Sequence, residues 1–154
     1  FKLINEPNQR LNFNLQARAI YSTDFSSIDD RGYVFNPKLN FTREHVTDLN
    51  LKVSTSVGPI FATENLMDYF YTVDTEFATP SRPAYDADAG YLGTNLTLGL
   101  SKRFNSRFRL ILGTRLGIHN GATNDDSPLF KDNLNVGVFA AFAWSFAESK
   151  QPAR

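Results

Sequence analysis

Apolar and polar residues alternate with a period of two along most of this chain, and that single feature leaves few folds open. Leu11, Phe13, Leu15, Ala17, Ala19 and Tyr21 are separated by Asn12, Asn14, Gln16, Arg18 and Ile20. Successive side chains of a β-strand point to opposite faces, so this run predicts a strand with one apolar and one polar face. The pattern recurs over Tyr33–Arg43, Leu49–Phe61, Tyr91–Phe104, Phe108–Ile118 and Leu134–Phe146. Six strands of about 11 to 14 residues are predicted, about twice the usual length in soluble sheets. A helical period is absent except at Glu64–Val73, where one or two turns fit inside a loop.

The connections alternate as well. Asn5–Gln9, Glu44–Asp48 and Asn105-Ser106 are short, whereas Thr23–Gly32, Ala62–Gly90 and Asn120–Asp132 are long and polar. In a meander, alternate connections lie at opposite ends of the sheet. One end is therefore expected to be tight and the other to carry every elaborate loop. Long alternating strands with this asymmetry predict an all-β, antiparallel up-and-down transmembrane barrel.

A soluble barrel of lipocalin type alternates too, with its apolar face inward. Three features favour the inverted arrangement. The polar face is rich in Asn, Ser, Thr, Gly and Arg and poor in Lys and Glu. Arg103, Arg109 and Arg115 fall on the polar face of one hairpin and are expected in the lumen, where they can pair with carboxylates across it, solvation being the alternative. Small residues, among them Gly99, Gly113, Gly117 and Gly137, leave room for them. Aromatic residues collect near strand ends: Tyr21, Tyr33, Phe35, Phe61, Phe104, Phe108, Trp144 and Phe146. Rings that are part apolar and part polar belong at the headgroup level, so these predict interfacial girdles.

With a periplasmic C-terminus, the three short turns are periplasmic and the three long loops external. Residues 1–146 are expected to form the barrel portion and 147–154 a tail. Six strands cannot close a membrane barrel, for which ~8 is the practical minimum. Phe1–Ile4 is expected to be the end of an earlier strand, with at least one more strand before it.

Composition excludes much else. There is no cysteine, hence no disulfide, thiolate nucleophile or Cys-based zinc site. Sixteen basic and 16 acidic residues leave no net charge to attract nucleic acid. His45 and His119 lack metal-ligand spacing. Ser127 has no nucleophile-elbow context, and no phosphate-binding glycine loop follows a strand. No catalytic residue, metal or cofactor is expected. Asp29-Asp30, Asp86, Asp88 and Asp125-Asp126 are expected to be solvated loop carboxylates, with cation bridging to lipopolysaccharide as the alternative.

Two loop segments carry a family likeness. Met67-Asp68-Tyr69-Phe70-Tyr71 leads to Ser81-Arg82-Pro83-Ala84-Tyr85-Asp86-Ala87-Asp88-Ala89-Gly90, and the last loop reads Asn120-Gly121-Ala122-Thr123-Asn124-Asp125-Asp126-Ser127-Pro128-Leu129. These resemble the MipA/OmpV family of MltA-interacting outer-membrane proteins, with "MDxYFGV", "GLPAYDAGAG" and "GDAADSPIV" segments in the same order. Ser81-Arg82 stands in place of Gly-Leu, and Asp88 in place of a glycine. The resemblance implies a non-enzymatic scaffold in the outer membrane of a Gram-negative bacterium, embedded in lipid and lipopolysaccharide. Its implied partners are a periplasmic lytic transglycosylase and a penicillin-binding protein, reached through periplasmic turns or the tail. Pro83, Ala84, Tyr85, Asp86 and Gly90 are the family-motif residues. Proline is expected to stiffen this loop and Tyr85 to plug the barrel mouth. A small porin and a soluble lipocalin-like carrier are the alternative functions.

Overall fold

The computed structural model describes residues 1–147; most of the tail proposed for 147–154 lies outside them. The chain is all-β, a seven-stranded antiparallel meander in the order β1-β2-β3-β4-β5-β6-β7. The strands are β1 (Lys2–Glu6), β2 (Gln9–Thr23), β3 (Ile28–Val46), β4 (Leu51–Ala62), β5 (Gly90–Arg103), β6 (Phe108–Ile118) and β7 (Leu134–Trp144). A two-turn helix, α1 (Glu64–Tyr71), lies in the longest connection. The sheet is open, with β1 and β7 at its edges. Phe1–Ile4 belongs to this sheet, β1 pairing with the first residues of β2.

Register sorts the side chains as the alternation requires. Leu96, Leu98 and Leu100 on β5 sit opposite Leu116, Thr114 and Leu112 on β6, which in turn face Val136, Val138 and Ala140 on β7. This outer face is open to its surroundings; Val138 is 83% exposed and Phe142 71%. The other face carries Asn95, Thr97, Gly99, Ser101 and Arg103. One hollow on it is lined jointly by β2, β3, β4, β5 and β6, so the sheet curls around its polar side.

Three details depart from simple alternation. The Thr23–Gly32 segment is not a long loop. The ladder runs on to Thr23 opposite Ile28, leaving four connecting residues. Asp24 closes that turn. It accepts from the Ser26 hydroxyl (2.8 Å) and from the Ser26 and Ser27 amides (2.9 and 2.8 Å), which hold its carboxyl well below the usual range. The paired extension, Tyr21–Thr23 against Ile28–Asp30, is three residues long and mostly polar, too short to show a hydrophobic period. Leu49 does not start β4; it lies in the Thr47–Asn50 turn, where Thr47 and Asn50 take positive φ. Leu92 turns inward rather than outward. Ile60 pairs with Gly93 and Phe61 with Tyr91, so Leu92 is an extra residue that shifts the pleat.

Two prolines face each other inside the sheet. Pro37 and Pro59 lack the N–H that a ladder needs, and pairing between β3 and β4 is interrupted between Phe35 and Leu39. The buried Asn36 bridges the gap, its Nδ2 donating to the Pro59 carbonyl at 2.7 Å. Gly58 lies beside this break. A Cβ there would meet the Pro37 carbonyl oxygen and come within 2.6 Å of Lys38 Cβ and 2.8 Å of Lys38 Cα.

Candidate functional site

The described apolar core is at one end of the sheet. Val34, Ile60 and Ala62 meet Leu66, Met67 and Ala87 from the long connection, with Ile20, Leu92, Tyr71 and Tyr85 around them. Met67 is 1% exposed. Burying a Leu and a Met side chain this fully contributes about 1.5–3 kcal/mol each, which is what holds an eight-residue helix on the sheet. Thr63 anchors its start, its Oγ1 accepting from the Tyr33 amide at 2.9 Å. Gly32, opposite Thr63, has φ of 101° and no side chain, and both properties are needed for that approach. Loop residues thus roof the end of the inner face.

The roof has two halves that lock together. Asn124, 2% exposed, uses its carboxamide as a neighbouring strand would: Oδ1 accepts from the Asp88 amide at 3.0 Å and Nδ2 donates to the Asp88 carbonyl at 2.8 Å. The Tyr85 hydroxyl donates to Asp126 Oδ1 at 2.6 Å and lies 3.1 Å from Asn124 Oδ1. Ser127, also buried, donates to the Tyr71 carbonyl at 2.8 Å. The Thr123 amide donates to the Tyr91 carbonyl, and Thr123 lies over Gly90, where a side chain would displace it. Phe130 packs between Tyr71 and His119, and the His119 ring bonds the Leu92 carbonyl through Nδ1 at 2.7 Å.

The two segments that carry the family likeness are therefore spatial partners. Tyr85 packs against the core, and Gly90 opens β5 beneath Thr123. Pro83, Ala84 and Asp86 are exposed. The residues that knit the halves, Asn124 and Ser127, were not singled out for this role by sequence; a polar residue in an acidic loop carries no signal of burial.

Partial burial, then the Asp126 hydrogen bond and the charges of Asp126, Asp88 and Asp125, push the Tyr85 hydroxyl up to about 12. The protonated form is the one the fold favours. Its contribution is complete below pH ~10, the unfolded value, and is lost as pH rises through about 12. In a tyrosinate absorbance titration, the wild type is expected to show one late-ionising tyrosine that Tyr85→Phe lacks. Identical curves would exclude the interlock.

Arg103 and Arg109 face each other across β5 and β6, and Arg115 sits opposite Thr97, all on the inner face. None pairs with a carboxylate among the described residues, where the ion pairs are Arg10–Glu44, Lys52–Glu44 and Arg31–Asp29. The carboxylate that shares a hollow with Arg103 and Arg109, Glu44, is already engaged by Arg10 and Lys52. Gly113 makes room for a ring: a Cβ there would run into Phe139.

On the outer face, aromatic residues occupy both ends. Phe61 and Tyr91 stack at 5.9 Å near the loop end, on the side of exposed Tyr21, Tyr33 and Phe35. Phe104 and Phe108 (5.5 Å), Phe108 and Trp144 (5.9 Å) and Phe142 gather at the turn end. Phe146 follows β7 and is fully open. Tyr91 belongs with these residues although sequence position alone did not select it.

No curated protein and no solved structure matches the chain. The family model of the MltA-interacting protein MipA matches residues 4–146. The match takes in both loop segments, the end of β1 and all of β2–β7, and the chain belongs to the MltA-interacting protein MipA family.

Proposed function

We propose that this chain is the membrane-embedded part of an outer-membrane β-barrel protein. In this reading it is a non-enzymatic scaffold that holds a murein-degrading transglycosylase, and through it a murein synthase of the penicillin-binding type, at the outer membrane. Membership of the MltA-interacting family is the observation that carries this reading. The outer face supports the membrane setting. Phe104 follows Tyr91 by thirteen positions along β5. At ~3.4 Å per residue and ~40° tilt, the two aromatic rows stand roughly 34 Å apart, enough to flank an apolar band of ~25 Å. A soluble carrier would have to bury the Leu98, Leu112 and Val138 face, which is open here.

The tight connections at Pro7-Asn8, Thr47–Asn50 and Phe104–Arg107 share the end that would face the periplasm. Leu49 is exposed at the tip of one of them, an apolar side chain that a partner can cover. Affinity capture with the detergent-solubilised protein is expected to enrich a periplasmic lytic transglycosylase, and Leu49→Asp is expected to reduce the yield severalfold. Capture of no murein enzyme would overturn the scaffold reading.

A further inference from the structure

The chain is electrically neutral, but its charges are segregated. On β2–β6 the inner face carries Arg18, Lys38 and Arg115 at mid-height. Toward the turn end it carries Arg10, Lys52, Arg103 and Arg109 with the single carboxylate Glu44. The carboxylates are concentrated in the connections at the opposite end, among them Asp24, Asp68, Asp86, Asp125 and Asp126. Zero net charge is thus the sum of a basic interior and an acidic rim.

Arg18, Lys38 and Arg115 come from three different strands and line one hollow of about 190 Å³. The rest of its wall is uncharged and mostly polar, including Gln16, Asn36, Asn95 and Thr97 beside Val57 and Gly58. No carboxylate lines it. Among the described residues, none of the three cations has a side-chain hydrogen bond or ion pair. Arg18 and Arg115 are exposed and Lys38 is half-buried, and like charges gathered on one concave wall without a counter-charge repel. Such an arrangement is stabilised by whatever anion occupies it. Two guanidinium forks and an ammonium, ringed by carboxamide and hydroxyl groups, match an oxyanion with several acceptor oxygens.

We propose that this hollow is a binding site for a small multivalent oxyanion, a phosphate or a carboxylate, entering from the turn end. The direction of entry follows from the electrostatics. The loop end is roofed by the Leu66 and Met67 core and bordered by carboxylates that repel an anion. At the turn end a hollow of about 310 Å³ is lined by Lys52, Arg103 and Arg109 with one carboxylate, Glu44, a net cationic approach to the site.

The test is calorimetric titration of the detergent-solubilised protein with inorganic phosphate and, separately, with citrate. Saturable binding is expected, weakening as sodium chloride rises from about 20 to about 200 mM. The combined Arg18→Gln and Arg115→Gln variant is expected to lose affinity by at least about tenfold, since both forks are gone. Lys38→Gln, a single and milder change, is expected to lose severalfold and serves if the double variant does not fold. Arg31→Gln, which removes an external arginine paired with Asp29, is expected to bind as the wild type does. Preference for phosphate or for citrate identifies which oxyanion the site takes. Absence of saturable binding to both, or binding that survives the loss of Arg18 and Arg115 or of Lys38 in folded protein, would overturn the proposal.

Discussion

Asn124→Ala is expected to release the roof while leaving the strands paired. The carboxamide satisfies both main-chain groups of Asp88 and sits at 2% exposure. Truncation leaves an amide and a carbonyl without partners in a half-closed space, and each such group costs about 1–3 kcal/mol. The summed effect, roughly 2–6 kcal/mol, exceeds what the rest of the seam recovers. That seam includes the Tyr85–Asp126, Ser127–Tyr71 and Thr123–Tyr91 hydrogen bonds. Limited proteolysis in micelles reads the outcome. Cleavage within residues 63–89 should accelerate by an order of magnitude or more, while the heat-modifiable gel mobility of the folded sheet is retained. Asn124→Asp separates the two contributions: it keeps the acceptor, loses the donor and adds a charge beside Asp88, Asp125 and Asp126. It should open the roof as well, and less so at low pH, where the new carboxyl is protonated and can donate. A loop as resistant as in the wild type would show that the two halves are not held by this residue.

Gly58→Val should act on the sheet itself. The added Cβ has no free volume: it meets the Pro37 carbonyl oxygen and approaches Lys38 Cβ and Cα within 2.8 Å. Two of those three atoms are main chain and cannot swing away as a side chain tip would. The strands must separate where Pro37 and Pro59 have already removed ladder hydrogen bonds, and Asn36 would lose its reach to the Pro59 carbonyl. Overpacking of this kind costs about 3 kcal/mol, at the upper end of the usual range. Loss of the folded, heat-modifiable species on gels and a lowered unfolding midpoint are expected. Gly137→Val is the matched control, since the nearest atom to a Cβ there is 3.9 Å away. If the two variants behave alike, the contact beside Pro37 does not limit this sheet.

Much of the architecture was legible because the period of two is a direct consequence of strand geometry. Leu96, Leu98 and Leu100 against Asn95, Thr97 and Gly99 exclude every one-residue slip, and the register found keeps each face uniform. The alternation of short and long connections placed the tight turns at one end for the same reason. Where a local irregularity intervenes, the pattern misleads. A single extra residue at Leu92 turned it from the outer face to the core, and the paired tip at Thr23 and Ile28 is too short to show a period.

The roof was only half legible. The Tyr85 segment stood out as a motif, and so did the loop containing Asn124, but nothing in either says that they meet. Their encounter depends on how far the sheet curls between β4 and β7, a quantity summed over many residues and written in none of them. The inner cationic hollow is of the same kind. Arg103, Arg109 and Arg115 share a hairpin, so alternation alone assigns them to one face. Arg18 and Lys38 join Arg115 only because four strand-to-strand steps bend that face around on itself. Sequence by itself therefore determined the strands, their faces and the family. Tertiary structure alone decided which polar groups converge, because strand periodicity is local whereas curvature and loop docking are properties of the whole sheet.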